Sequence, residues 1–459
     1  MPEVIERQLS DRRKLWKAGT LTYTAPALLV LFAWLLMGDF AWSMRDRSVG
    51  PMAQWYLGQL KISNFLFGLL SSSFPALLGL VITPIVAIRS DRHRSRWGRR
   101  IPFLIVMTPI AMVGMIGLAL TPLFAEWMHR LFPDQSKVTV AVLCFGVFWT
   151  VFEFATIASQ AVLGGLFNDV IPRELIGRFY GLFRAVSLID GMIFNYWIIG
   201  RVPRHFTLIL FLTGLFYGVI FAWVCFKVKE GEYPPPPPRD LVNAGKVVRF
   251  MDGVRLYFRE CFSKRYYLAV CVMLMTASLC FAPVNIFSIP YARSVGMDMN
   301  DYGKAVALVY FISLCLSFFL GWLADLFHPL RMAMVMLLGY ALATVWGGIF
   351  ATTSSTFFVA LVLHGVLSGC YFTSAASLGQ RLFPQEKFAQ FASAAAMVAA
   401  PANMLLAPVM GMFIDRLGNV YRYTFLVGCG LALLAFIVAC FVYKSFIRLG
   451  GPKAYQAPF

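Results

Sequence analysis

Residues 90–123 read SDRHRSRWGRRIPFLIVMTPIAMVGMIGLALTPL. Five arginines crowd the stretch from Arg92 to Arg100, and the run from Ile101 to Leu123 then carries no charge at all. About 20 apolar residues are what a helix needs to cross the hydrocarbon core of a bilayer. Lys and Arg collect in cytoplasmic loops, so a basic loop abutting such a run also says which side it is on. The same alternation of basic loop and apolar run repeats along the chain.

Composition agrees. Of 459 residues, 59% are hydrophobic and only 14% charged, and mean hydropathy is +0.71. Soluble domains carry about 25% charged residues, so the chain has too few charges to cover a water-facing surface of its size. This disfavours a cytosolic enzyme, a disordered scaffold and a secreted disulfide protein. The net charge of +18 comes from 40 Lys+Arg against 22 Asp+Glu; it reads as loop charge that orients the spans, not as a nucleic-acid surface. Nine cysteines lie scattered without metal-ligand or redox spacing, and the five histidines are equally dispersed. No phosphate-binding loop and no nucleophile–base pair is visible, so no cofactor, metal or enzymatic activity is expected. The polar N-terminus lacks the apolar centre of a signal peptide, and the first span is expected to target the chain and stay in place.

Twelve apolar stretches are long enough to span. Six run Leu21–Met44, Ser63–Ile88, Ile101–Leu123, Val138–Leu163, Phe183–Gly200 and Phe206–Phe226; six run Tyr267–Ile289, Tyr302–Leu326, Met332–Ala351, Phe357–Leu378, Phe391–Ile414 and Tyr423–Phe446. The predicted organisation is a cytoplasmic N-terminus (1–20), a six-helix bundle (21–226), a cytoplasmic linker (227–265), a second six-helix bundle (266–446) and a cytoplasmic C-terminus (447–459). The linker contains Pro234–Pro238, which cannot be helical, and its part near Val247–Phe262 could form a short amphipathic helix. With both ends inside, cytoplasmic segments hold 29 of the 40 Lys+Arg and 11 remain outside, which supports the topology. Corresponding loops of the halves share an acidic-plus-basic element (Asp91 with Arg96, Arg99 and Arg100; Asp325 with Arg331) and a Pro-x-Glu element (Pro172–Glu174; Pro384–Glu386). Matching order suggests two parallel repeats about an axis along the membrane normal.

The order Asp91-Arg92 followed by Arg96-Trp97-Gly98-Arg99-Arg100-Ile101-Pro102 resembles the signature between the second and third helices of the major facilitator superfamily. Its long form is similar to the glycoside–pentoside–hexuronide cation symporters, with plant sucrose transporters and their animal relatives the nearest pattern. The resemblance implies an all-α membrane protein of twelve transmembrane helices in two bundles, a rocker-switch carrier with a central cavity. The series Glu153, Gln160, Asp169 also resembles the fourth helix of sucrose transporters, and this implies proton coupling by Glu153. The chain departs from that family at Gly164, where sucrose transporters carry an Arg; disaccharide specificity does not carry over.

Carboxylates within spans are expensive and usually mark a transport path. Glu153 is the only charge in Val138–Leu163 and sits mid-span; an acid there can take a proton on one side and release it on the other, or it can simply be hydrogen-bonded to a neighbouring helix. Asp39 reads as lying towards the outer end of the first span, either as a cation or substrate ligand or as a hydrated helix-end acid paired with Arg45 or Arg47. Asp190 completes the coupling candidates, and H⁺ and Na⁺ both stay open. Trp34, Trp149, Gln160, Asn195, Asn285, His364 and Asn403 are candidates for the substrate cavity, against the alternatives of interface aromatics and helix–helix hydrogen bonds. Asp91, Arg96, Arg99, Arg100, Asp325 and Arg331 form a candidate cytoplasmic gate, or are merely topological. The expected protein is therefore a multi-pass inner or plasma-membrane carrier, monomeric, coupling protons or another cation to symport of a sugar or glycoside. An exporter or carrier of lipid-type substrates, and a membrane sensor or scaffold, remain as alternatives.

Overall fold

In the computed structural model, residues 15–233, 255, 257–384 and 387–458 are described. The polyproline run, the linker as far as Asp252 and Val254, Gln385 and Glu386 lie outside these residues, as does most of the expected linker helix; residues 257–262 are helical.

Among the described residues, eleven segments are long and apolar enough to span a membrane. One of them, Arg173–Lys227, has 55 residues. At 1.5 Å per residue that is about 80 Å, nearly twice a whole bilayer, and it contains two helices. The twelve are α1 (Ala25–Gln59), α2 (Asn64–Arg92), α3 (Ile101–Leu131), α4 (Lys137–Val170), α5 (Ile176–Ile193), α6 (Val202–Lys227), α7 (Arg265–Ser294), α8 (Met299–Phe327), α9 (Pro329–Phe350), α10 (Ser354–Ser374), α11 (Phe388–Arg416) and α12 (Tyr423–Arg448).

Three boundaries differ from the hydropathy reading. Leu21 belongs to a hairpin of β1 (Trp16–Ala18) and β2 (Leu21–Tyr23) turned at Gly19 with φ +57°, so the first span starts only at Ala25. At its other end α1 does not stop at Met44 but runs through Arg45-Asp46-Arg47 to Gln59, because Arg45 finds partners inside the protein. The fifth span ends in a π-helical turn, Phe194–Ile198, and a 3₁₀ turn, Ile199–Arg201, that lead directly into α6.

The chain divides into two compact units. The first comprises residues up to 53, 78–194 and 202–238. Here α3 lies along α4 and α6. Close approach is set by small residues: a Cβ on Gly114 would stand 2.7 Å from the backbone nitrogen of Phe152.

The second unit comprises residues 54–77, 195–201 and 239–459. Its core gathers Tyr267, Phe281, Tyr340, Phe391 and Phe446 from α7, α9, α11 and α12. The start of α2 crosses α11 at glycine: a Cβ on Gly68 would lie 2.5 Å from the carbonyl oxygen of Ala407, and one on Gly411 would lie 2.1 Å from that of Asn64. At the crossing, Asp415 accepts the backbone N–H of Asn64 at 2.9 Å and of Phe65 at 3.0 Å, and the Asn64 amide at 2.7 Å. A carboxylate on the first turn satisfies orphan N–H groups and complements the helix dipole. Tyr421 donates to the Asn64 amide oxygen at 2.8 Å, and Arg293 donates to the Gly58 carbonyl at 2.6 Å.

Between α8 and α9, His328 takes a left-handed φ of 75°. Its Nδ1 accepts the N–H of Leu330 at 3.2 Å, and its ring lies 4.7 Å from that of Phe446. Burial, then Arg381 and Arg331, push the imidazole down to about 4. The folded state thus favours the neutral ring. Its stabilising contribution is complete above the unfolded value of about 6.5 and is lost as pH falls from there through about 4. His328→Asn keeps an acceptor and removes the titration. The melting temperature of the parent protein is expected to drop more steeply than that of His328→Asn between those two pH values; parallel curves would refute the role.

Candidate functional site

The first unit holds an assembly of charges within its helices. Arg45 of α1 is fully buried. Its guanidinium carbon lies 3.9 Å from the Trp42 ring centroid and 4.8 Å from that of Tyr217, a cation held between two aromatic faces. It donates to Asp46 at 2.7 Å and to the Tyr217 hydroxyl at 3.1 Å. The Asp46 side chain is 46% exposed. Glu153 of α4 is half-buried and within electrostatic range of Arg45 and Asp46.

Asp39 and Asp190 belong to the same assembly. Both interact electrostatically with Arg47, and Asp190 also with Asp39; Arg47 donates to Ser187 at 3.1 Å. Asp39 is about 21 Å along α1 from Ala25, near the middle of the helix instead of its outer end, because α1 continues past Met44. It is 2% exposed. Ser43 donates to one of its oxygens at 3.2 Å, and the other has no partner. Asp39 lines a cavity of about 20 Å³ whose other walls, such as Leu104, Leu166 and Val224, are apolar. Asp190 is fully buried, and neither carboxyl oxygen has a hydrogen-bond partner. Sequence reading found the three acids. It missed Asp46, and it treated Arg45 and Arg47 as helix-end charges although they lie inside α1.

The cavity candidates fall in different surroundings. Gln160, seven residues after Glu153 on α4, is exposed. Trp149 is 4% exposed in a stack with Phe145 at 5.5 Å, so its ring is core. Trp34 packs against Trp223 at 5.9 Å with the Lys227 ammonium also 5.9 Å from its ring, the setting of an interface aromatic. In the second unit, His364 is 2% exposed and joins two neutral partners: Nε2 with the Asn285 amide oxygen at 2.9 Å and Nδ1 with the Tyr340 hydroxyl at 2.9 Å. Asn285 is exposed beyond that contact. Asn403 donates to the carbonyl of Ala399 on its own helix at 3.0 Å. Asn195 is buried in the π-helical turn.

The candidate gate takes a different shape from the expected one. Arg99 and Arg100 both donate to Asp169 at the end of α4, at 2.6 Å and 2.9 Å. Arg100 also reaches Asp91 at 2.8 Å. Glu230, just after α6, accepts the backbone N–H groups of Arg99, Arg100 and Ile101 at 3.0, 2.8 and 2.6 Å. Arg100, the residue before α3, has no capping side chain, and Glu230 takes that place. Tyr233 donates to Glu230 at 2.9 Å and lies under Arg99. Asp169 and Glu230, not Asp91, are the centres of the lattice. Arg96 stands apart, exposed, over Trp97 at 5.8 Å. In the second repeat, Arg331 donates to the Tyr443 hydroxyl at 2.9 Å; the side chain of Asp325 lies outside the described residues.

Asp169 is 13% exposed and holds two arginines, whereas Asp91 is 55% exposed and holds one. Hydrogen bonds to charged groups contribute about 1.5–3 kcal/mol where water is excluded, and exposed ion pairs contribute about 0–1 kcal/mol. Asp169→Asn should lower the melting temperature in detergent clearly, and Asp91→Asn should leave it nearly unchanged. Equal losses would show that the lattice is not centred on Asp169.

Residues 270–453 match the family model of the Major Facilitator Superfamily. "Solute carrier family 45 member 4" of Homo sapiens is 23% identical over 245 residues, 50% of this chain and 30% of that protein; the chain thus spans less than a third of that relative. Among solved structures, a bacterial homologue of the iron transporter ferroportin in an inward-facing state matches with TM-score 0.69 at 13% identity, covering 90% of this chain and 99% of that one. A D-xylose–proton symporter matches with TM-score 0.62 at 14% identity, covering 91% and 97%. These likenesses show that the chain shares the fold of solved transporters. The family-model match is confined to the second half of the chain, while the fold shared with the solved transporters extends over nearly all of it.

Proposed function

We propose that the chain is a proton-coupled carrier that takes up a sugar or glycoside by alternating access. The observation that carries this reading is the charge assembly of the first unit: Asp39, Asp46, Glu153 and Asp190 against Arg45 and Arg47, with three carboxyl oxygens of Asp39 and Asp190 left without partners. Fully ionised, these four acids carry two more charges than Arg45 and Arg47 together. A buried carboxylate without partners is costly, and a bound proton removes that cost. Protonation and release at these acids would therefore change the charge balance around Arg45 and Arg47, which is the coupling a symporter needs.

A sodium site is the less favoured reading. The cavity beside Asp39 offers one carboxyl group among apolar walls, a sparse oxygen set for a hard cation.

The sugar reading rests on neutral hydrogen-bonding groups, Gln160 on α4 and the His364–Asn285 pair in the second unit, together with the resemblance to glycoside symporters and the likeness to a D-xylose–proton symporter. A carrier reading of this kind places the protein in a cell membrane.

Proteoliposomes with an inward proton gradient, given a panel of labelled sugars, test it directly. Uphill accumulation is expected for at least one sugar or glycoside. Glu153→Gln and Asp190→Asn should each lower gradient-driven accumulation at least tenfold while leaving exchange down a substrate gradient measurable. Wild-type accumulation in both variants would sink proton coupling through these acids; no sugar-driven alkalinisation in the parent protein would sink symport.

A further inference from the structure

Away from the charge assembly, the second unit contains a cavity of about 240 Å³ where the linker meets α7, the start of α11 and the C-terminal tail. It is lined by Arg259, Glu260, Lys264, Tyr267, Lys387 and Phe391, among others. Its walls are tied together. Glu260 accepts from Lys387 at 2.8 Å and from the Gln390 amide at 2.9 Å, so both carboxylate oxygens are engaged and the Lys387 charge is matched. Tyr257 shares a hydrogen bond with Ser393 at 2.7 Å. Tyr267 donates to the carbonyl of Pro458 at 2.7 Å, and Tyr455 donates to that of Leu382 at 2.7 Å; both hold the tail in place as one side of the cavity.

Two cations are left over. Arg259 and Lys264 line the cavity, and among the described residues neither has an acidic partner. Topology asks only that basic residues lie on one side of the membrane. It does not ask two of them to line a cavity whose third cation is already neutralised. Tyr267 and Phe391, both buried and packed ring to ring at 4.5 Å, close the cavity from below. Its volume corresponds to roughly eight waters at about 30 Å³ each, larger than a bare oxyanion and small for a drug-sized ligand.

We propose that this cavity binds a phosphate ester, with Arg259 and Lys264 on the phosphate oxygens. Arg offers a fork of donors and Lys a point charge, the pair of donors phosphate recognition uses. The same chemistry is presented by an anionic lipid headgroup and by a free phosphorylated metabolite. The site is independent of the transport reading, since none of its residues belongs to the charge assembly.

The test uses the purified full chain. Glycerol 3-phosphate is titrated in neutral detergent against sodium chloride of equal ionic strength, and the chain is also placed in nanodiscs of phosphatidylcholine with or without phosphatidic acid; melting temperature is the readout. Arg259→Gln and Lys264→Gln should each weaken the stabilising response about tenfold, the loss of one charged hydrogen bond, and together abolish it. Arg448→Gln, on an exposed residue at the end of α12, should leave it intact. A response to glycerol 3-phosphate identifies a free phosphate ester, and a response to phosphatidic acid alone identifies the lipid. Absence of both responses, or a response that survives in the double variant, overturns the proposal. The melting temperature without ligand reports folding; if the double variant is destabilised, the two single variants decide.

Discussion

A guanidinium cannot shed its proton in a protein, and that constraint organises the first unit. Arg45 is fully buried within α1, where an unpaired charge would cost several kcal/mol. Trp42 and Tyr217 cover its faces, Tyr217 and Asp46 accept its N–H groups, and Glu153 adds its field. α6 brings Tyr217 into contact with this cation and α4 brings Glu153 within its field, so one charge ties together groups from three helices. Asp46, 46% exposed and hydrogen-bonded to a buried partner, is the outer edge of the assembly.

Carboxylates at helix starts do a second kind of work. Glu230 sits on the first N–H groups of α3, and Asp415 on those of α2. Each is far along the chain from the helix it caps, 129 residues from Ile101 in one case and 351 from Asn64 in the other. A cap of this type couples helix stability to the position of another segment: moving the linker releases α3, and moving the end of α11 releases α2.

The spans were legible because hydropathy alone decides which segments enter a bilayer, and the Arg99–Arg100 element was legible as a charged loop. What hydropathy could not show is where a charge ends a span and where it lies inside one. Arg45, Asp46 and Arg47 look like a polar stop after Met44, yet partners on α6 and α5 keep the helix going. The same limit hid Glu230, whose role depends on a crossing with α3 that leaves no local mark. It also made Trp149 and Trp34 look alike, although one stacks in the core and the other meets Lys227 at a helix end.

The two units also differ in the chemistry they bury. In the first, the buried polar groups include Asp39, Arg45 and Asp190; in the second, His364 bonds neutral partners through both ring nitrogens. A protonation step changes net charge and acts over distance, so it belongs where other charges can respond. Recognition of hydroxyl groups needs fixed donors and acceptors whose orientation does not change with each proton. The Tyr340–His364–Asn285 chain is of that fixed kind: the imidazole bonds the Tyr340 hydroxyl on one side and the Asn285 amide oxygen on the other. The buried side chains of the two units thus differ in kind: ionisable groups that answer one another's charge in the first, and neutral groups held in fixed orientation in the second.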